Sequence, residues 1–325
     1  MEISNLPADI IRETALNLPL RDIFKFCQTN KKFNKAICQY KPFWHDLFLK
    51  TIDENIPIPN NASIRWYQDK LLKWPDVKTL ATLIRQNEVH SVEYINDYNA
   101  NWNSFELVDN IFELNCSKLG LTSLPSMPNI NVLECNFNKL TTLPEYPNLE
   151  YLHCEDNLIT FLPLYPRLFS LTCDHNKLTE LPDCPNLDLL YCSYNKLKNI
   201  PFYPRLDHLV CNNNLLTSLP SFPLLIVLNC SVNKLTSLPE YPELTDLDCI
   251  NNKLTTMPFF PRLAILQCDN NKLISLPSLP LLDFLSCRVN LLTTLPPFPM
   301  LTELYCSDNP LPSYDLGYWK NRWGI

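Results

Sequence analysis

From residue 111 onward, apolar and polar positions recur with a fixed step. Eleven cysteines stand at 116, 135, 154, 173, 192, 211, 230, 249, 268, 287 and 306, each 19 residues from the next. A Leu precedes each Cys by two positions, from Leu114 to Leu304, and polar residues alternate with this pair. Strict alternation over a few residues predicts a short strand with one buried face. Three positions after the Cys comes Asn, from Asn138 to Asn309, with Leu119 the exception. Asn tolerates turn conformations and hydrogen-bonds nearby backbone groups, so the strand is expected to end in a turn there. Leu or Ile follows at +5, mostly Leu at +8, and Pro at +9 and +12. Two prolines at this spacing forbid a helix on the way back and favour extended or polyproline-II backbone. The unit is L-x-x-L-x-C-x-x-N-x-L-T-x-L-P-x-x-P-x, as in LECNFNKLTTLPEYPNL, residues 133–149. A coil this small cannot bury enough apolar surface to offset the entropy of ordering it. Its neighbours must do so, and the expected product is a stack with capped ends.

The repeat resembles the leucine-rich repeat, L-x-x-L-x-L-x-x-N/C-x-L, with Cys in the third apolar slot. It is most similar to the LP-x-x-P repeats of bacterial effector proteins. That resemblance implies a solenoid with short parallel strands on the concave side, extended returns and no helices on the convex side. It also implies Asn side chains stacked as a ladder at the strand ends. About 11 repeats fill residues 111–312. The tail SYDLGYWKNRWGI leaves the pattern, and its Tyr314, Tyr318, Trp319 and Trp323 are read as an apolar cap over residues 313–325.

Residues 1–110 share none of this. Amphipathic helical patterns run over 8–18, 20–28 and 31–40, punctuated by Pro19 and Pro42. The opening Leu6, Pro7, Asp9 and Ile10, the second pair Leu18 and Pro19 with Asp22, and the closing Phe43, Trp44 and Leu47 resemble an F-box over about residues 3–50, within a domain assigned to 1–50. The match departs at Thr14 and Phe33. It implies that Leu6, Pro7, Ile10, Leu18 and Pro19 dock on a Skp-type adaptor within a cullin complex. Residues 51–110, with Trp66, Tyr67, Leu71 and Leu72, are read as a helical linker and N-terminal cap. The fold class expected is α+β. Compact cysteine repeats behind an F-box are also similar to proteins encoded by giant DNA viruses, for which the compartment would be the host cytoplasm.

Composition narrows the chemistry. The chain has 29 Pro, 14 Cys and 3 Gly in 325 residues, with net charge −7. Three glycines, at 120, 317 and 324, cannot build a phosphate-binding loop. The opening residues show no apolar signal core, and no run reaches the ~18 apolar residues of a membrane span. A cytoplasmic protein with reduced thiols is therefore expected. Structural zinc needs cysteines two to four residues apart, a spacing the ladder lacks, and Cys serves better as a small core filler. His153, His175 and His208 fall on three repeats in three registers, which argues against a shared acid–base or metal role. The expectation is a non-enzyme without cofactor or metal. Lysines recurring at +4 are read as a solvated edge.

Positions −3, −1 and +1 from each Cys point away from the core. They hold eight acids, Glu113, Glu134, Glu155, Asp174, Asp246, Asp248, Asp269 and Glu303, against one base, Arg288. Such a face repels phosphates, so nucleic acid is not the expected partner, and no membrane is. Carboxylates interspersed with aromatics suit a protein of basic character. The candidate target-binding residues are Tyr151, His153, Glu155, Asp174, Tyr191, Asp246 and Asp248. Two functions fit: a substrate receptor of a Skp–cullin–F-box ubiquitin ligase, or a non-ligase scaffold or decoy that binds a host protein.

Overall fold

The computed structural model describes residues 111–325, together with Ala15, Ile23, Trp44 and Leu47. Those four are helical and buried. The chain divides into two compact units, and residues 112–124 and 128–325 belong to the second. The expected adaptor residues Leu6, Pro7, Ile10, Leu18 and Pro19, and the linker 51–110, lie outside the described residues.

The repeats form a parallel solenoid. Eleven three-residue strands follow one another in chain order within one sheet: β1 (Glu113–Asn115), β2 (Val132–Glu134), β3 (Tyr151–His153), β4 (Ser170–Thr172), β5 (Leu189–Tyr191), β6 (His208–Val210), β7 (Val227–Asn229), β8 (Asp246–Asp248), β9 (Ile265–Gln267), β10 (Phe284–Ser286) and β11 (Glu303–Tyr305). Each pair is in register at the repeat length, so Leu114 faces Leu133 and Leu133 faces Leu152. The middle Leu is buried from β1 to β10, and the flanking residues are half-buried or exposed apart from Thr172 and Ser286, which are buried too. Ladder hydrogen bonds continue through the Cys, whose N–H donates to the residue before the next Cys, as from Cys135 to His153 O at 2.8 Å. All eleven ladder cysteines are buried.

At the strand exit, a buried Asn ties neighbouring coils together. Asn214 Nδ2 donates to Cys192 O at 3.0 Å in the preceding coil and to Cys211 O at 3.1 Å in its own, and its Oδ1 accepts Leu197 N–H at 3.0 Å. The same bonding runs from Asn138 to Asn309. The turn residue itself sits one position earlier than the sequence implied. Left-handed backbone, φ 51–64°, is adopted at +2 in all eleven coils, by Lys118, Phe137, Asp156, His175, Tyr194, Asn213, Val232, Asn251, Asn270, Val289 and Asp308. Asn at +3 is freed to turn inward as the bridge. The left-handed position is filled by whatever residue faces solvent there, because the bonds on either side dictate its φ.

The return leg is irregular, as two prolines require. The Pro at +12 occupies the second position of a turn closed by bonds such as Leu149 N–H to Tyr146 O at 3.2 Å. Between the prolines, at +11, a second buried row stacks one coil on the next. Tyr146 lies on Tyr165 at 6.4 Å, Phe222 on Tyr241 at 6.4 Å and Tyr241 on Phe260 at 6.2 Å. The phenols stay satisfied by donating to the proline carbonyl of the coil before, as Tyr203 does to Pro182 O at 2.9 Å. Beyond β11 the tail is a helix, α1 (Leu316–Trp323), where the sequence implied only an apolar lid. Asp315 caps it by accepting Tyr318 N–H at 2.7 Å, and Gly324 ends it in left-handed backbone. Trp319 is fully buried, and Trp323 donates to Leu295 O at 3.2 Å while meeting the Phe298 ring edge-on. The last coil is thereby covered.

Two predictions follow from these bonds. Asn214→Ala leaves the Leu197 N–H without an acceptor in the core, at ~1–3 kcal/mol, and takes one of two amide donors from Cys192 O and Cys211 O, which keep Asn195 and Asn233. Urea unfolding of this variant should show a loss of about 2 kcal/mol, and an unchanged midpoint would refute the bridging role. In the opposite direction, a β-branched residue in left-handed backbone is strained by about 1–2 kcal/mol. Val232→Asn and Val289→Asn should each raise the unfolding midpoint, and together their gains should add, since they stand three coils apart.

Candidate functional site

The face built by positions −3, −1 and +1 is the outward side of the sheet. Neighbouring strands in a sheet lie about 4.8 Å apart, so equal positions on successive coils form straight rows. Tyr151, His153 and Glu155 share β3 and its exit. Asp174 follows Glu155 in the +1 row one coil on. His153, Thr172 and Tyr191 are consecutive members of the −1 row. These five candidates are thus brought together over three coils. Asp246 and Asp248 are not part of that group: they lie on β8, five strands beyond β3, or about 24 Å at the usual strand spacing.

The local bonding sets the charge of the patch. Asp174 Oδ1 accepts Ser193 N–H at 2.5 Å, and partial burial, reinforced by the Glu155 carboxylate, raises its pKa above the ordinary range. Glu155 Oε2 is shielded from solvent and has no hydrogen-bond partner. His153 Nδ1 meets Thr172 Oγ1 at 2.9 Å, and Tyr151 leans against Phe169 with ring centroids 6.5 Å apart. On β8, burial raises the Asp248 pKa as well, with Asp269 one coil on adding to the effect. The sequence pattern missed one feature. His175 and Tyr194, both at the left-handed +2 position, stack with centroids 4.2 Å apart beside Asp174. Nothing in alternation predicts where a +2 side chain points, because its direction depends on the reversed φ.

The other base–acid contacts are scattered. His208 Nδ1 pairs with Asp207 at 2.7 Å on a different coil from His153 and His175, so the three histidines do not converge. Near the last coils, the Arg288 guanidinium lies over the Tyr305 ring at 4.6 Å and 3.9 Å from Asp269 Oδ2, and the Arg288 backbone N–H donates to Asp269 Oδ1 at 2.7 Å. Among the described residues no group of His, Cys, Asp or Glu is arranged to hold a metal, and no helix is long and apolar enough to cross a membrane. Burial lifts the thiols above their ordinary range, Cys116 to about 12 and Cys184 and Cys306 to about 11, which makes them poor nucleophiles.

Comparison with known proteins places this geometry. Residues 3–45 match the F-box domain family. No curated protein matches the chain. Among solved structures, YopM from Yersinia enterocolitica WA-314 is 26% identical with a TM-score of 0.59, the match covering 74% of this chain and 61% of that one. YopM of Yersinia pestis, a leucine-rich effector protein, is 34% identical with a TM-score of 0.56 and 63% coverage of both. The functional domain of InlJ from Listeria monocytogenes, which includes a cysteine ladder, is 31% identical with a TM-score of 0.54, covering 66% of this chain and 48% of that one. The chain therefore spans about three-fifths of the YopM chains it matches. The fold of residues 111–325 is a leucine-rich-repeat solenoid. F-box domains generally bind Skp-type adaptors, and leucine-rich repeats bind proteins.

The buried thiols make their own prediction. An unfolded cysteine ionises near pH 8.5, roughly, whereas the folded ones stay protonated, so above that pH the native state binds more protons than the unfolded one. The ladder's contribution is fully present below about pH 8.5 and falls as pH rises, by up to ~1.4 kcal/mol per thiol per pH unit. Unfolding midpoints should hold level from neutral pH to about 8 and drop steeply beyond about 9, and the eleven ladder cysteines should resist thiol labelling in the native state. A midpoint insensitive to alkali, or fast labelling of the ladder, would contradict this.

Proposed function

We propose that an F-box joined to a protein-binding solenoid acts here as the substrate receptor of a Skp–cullin–F-box ubiquitin ligase. On this reading Leu6, Pro7, Ile10, Leu18 and Pro19 form the adaptor-docking surface. Tyr151, His153, Glu155, Asp174 and Tyr191 hold a target protein of basic character, and Asp246 and Asp248 extend the acidic track towards the later coils. The receptor performs no bond-breaking step. It raises the local concentration of the target beside the ubiquitin-charged enzyme, which is all that proximity needs to supply.

One observation carries the target half of the proposal: a solvent-shielded Glu155 carboxylate oxygen without a donor, next to Asp174 and flanked by Tyr151, Tyr191 and the His175–Tyr194 stack. A buried acceptor without a donor is costly, and an incoming lysine or arginine would satisfy it with a charge-assisted hydrogen bond. Aromatic anchors ringed by charge are where binding energy concentrates, with ~2 kcal/mol or more lost on truncating one.

Affinity purification of the full chain from its native cell, with mass spectrometry, should recover a Skp-type adaptor, a cullin and the target. Adaptor without cullin would favour the decoy or scaffold instead. The double variant Leu6→Ala, Pro7→Ala should lose the adaptor while the solenoid keeps its circular dichroism. Tyr191→Ala should weaken the target about tenfold and leave the adaptor bound. Charge reversal at Glu155 and Asp174 should chiefly slow association, less so at high salt. Wild-type target binding by the Tyr191 variant would remove the strand face from consideration.

A further inference from the structure

A second surface differs from the strand face in charge. The connector leaving the carboxyl end of each strand buries its +3, +5 and +8 side chains and exposes those at +2, +4, +6 and +7. From Tyr194 to Thr294 these exposed positions hold Lys196, Lys198, Lys234, Lys253 and Lys272 and no carboxylate at all. In a chain of net charge −7, this flank is a strip of unrelieved positive charge. The backbone fixes its spacing: Lys234, Lys253 and Lys272 N–H donate to Leu216, Leu235 and Leu254 O of the preceding coil at 2.8, 2.8 and 2.9 Å. Three ammonium groups therefore rise from adjacent coils. The ion pairs of the described residues use Arg205, His208, Arg262 and Arg288, and none of the five lysines. Like charges held side by side repel, so the row is unfavourable until an anion neutralises it.

The neighbours of the lysines narrow the partner. Leu215, Val232, Ile274, Val289 and Leu291 are exposed on the same strip, Ile274 at 60%. Single-stranded nucleic acid would require aromatic platforms, and the one aromatic ring here, Tyr194, is already stacked on His175. A duplex or a lipid surface is broad enough to press phosphates against the acidic strand face that borders the strip. An extended polypeptide is narrow. We infer that the flank from Tyr194 to Thr294 binds an extended acidic polypeptide segment whose carboxylates alternate with aliphatic side chains. Carboxylates meet the lysine row while the aliphatic residues cover Val232, Ile274 and Leu291. At ~3.4 Å per residue against ~4.8 Å per coil, about eight residues of such a segment span the six coils of the strip.

The test uses the full chain and a fluorescein-labelled peptide of alternating Glu and Leu or Thr, followed by fluorescence anisotropy. Saturable binding is expected at low salt, weakening about tenfold or more as salt is raised to physiological strength and beyond. The triple variant Lys234→Gln, Lys253→Gln, Lys272→Gln should lose about tenfold in affinity with unchanged circular dichroism, and Ile274→Ser with Leu291→Ser should lose part of it. Lys139→Gln with Lys320→Gln, both outside the strip, should bind as well as wild type. Absence of binding, equal binding by the triple variant, or an oligothymidylate or phosphatidylserine vesicle that binds more tightly than the peptide through the same three lysines would overturn the assignment.

Discussion

The buried Asn at the strand exit is the bond on which the solenoid depends. A coil of 19 residues ends a three-residue strand with several backbone groups pointing into the core. One primary amide, with two donors and an acceptor, serves a carbonyl in each of two coils and an N–H in the earlier one. Stacking thereby becomes the means of satisfying polar groups as well as of burying Leu and Cys. This is why the coils stay in register at a constant step, and why a bulky or β-branched residue such as Phe137 or Val232 is held in left-handed backbone without glycine.

Constant register turns single residues into rows, and rows into surfaces. Positions −3, −1 and +1 become an acidic sheet face with aromatic anchors. Positions +2 to +7 become a flank where lysines and aliphatic residues gather. Positions +9 to +12 become a proline-lined return over a buried aromatic stack. Because each coil touches only its neighbours, the character of a surface can change along the stack without disturbing the fold. The aromatic and carboxylate cluster around β3 to β5 and the separate Asp246–Asp248 pair on β8 are two such local characters on one face.

Much of this architecture was legible because it is local and repeated. The Leu–Cys alternation gave the strands, the prolines excluded helical returns, and the outward face was read correctly from period two. The same reasoning placed the turn at Asn rather than one residue earlier, because the φ reversal at +2 is imposed by hydrogen bonds and leaves no preference for Gly or Asn in the sequence. The His175–Tyr194 stack was invisible for that reason. The aromatic row at +11 was there to be read, since Tyr or Phe fills it at 146, 165, 203, 222, 241, 260 and 298. It was obscured by the prolines on either side, which draw attention to backbone rather than core. The terminal helix α1 is masked in the sequence by its aromatics, which suggest a wholly apolar lid, whereas Trp319 alone is fully buried and Tyr314 and Tyr318 are exposed. The Leu-Pro anchors at the amino end were readable because an F-box is marked by particular residues, and the matched family covers the same stretch.

On the proposed reading the solenoid offers its acidic, aromatic face to a target while the amino-terminal domain engages the adaptor. Carboxyl footprinting of the full chain, with carbodiimide labelling read by mass spectrometry, tests this directly. Target binding should protect Glu155 and Asp174 while Glu180, Glu240 and Glu243, away from that face, label as in the free chain. Adaptor binding alone should leave all five unchanged. Protection of Glu240 and Glu243 with Glu155 and Asp174 still open to the reagent would place the target on the return legs and contradict the account.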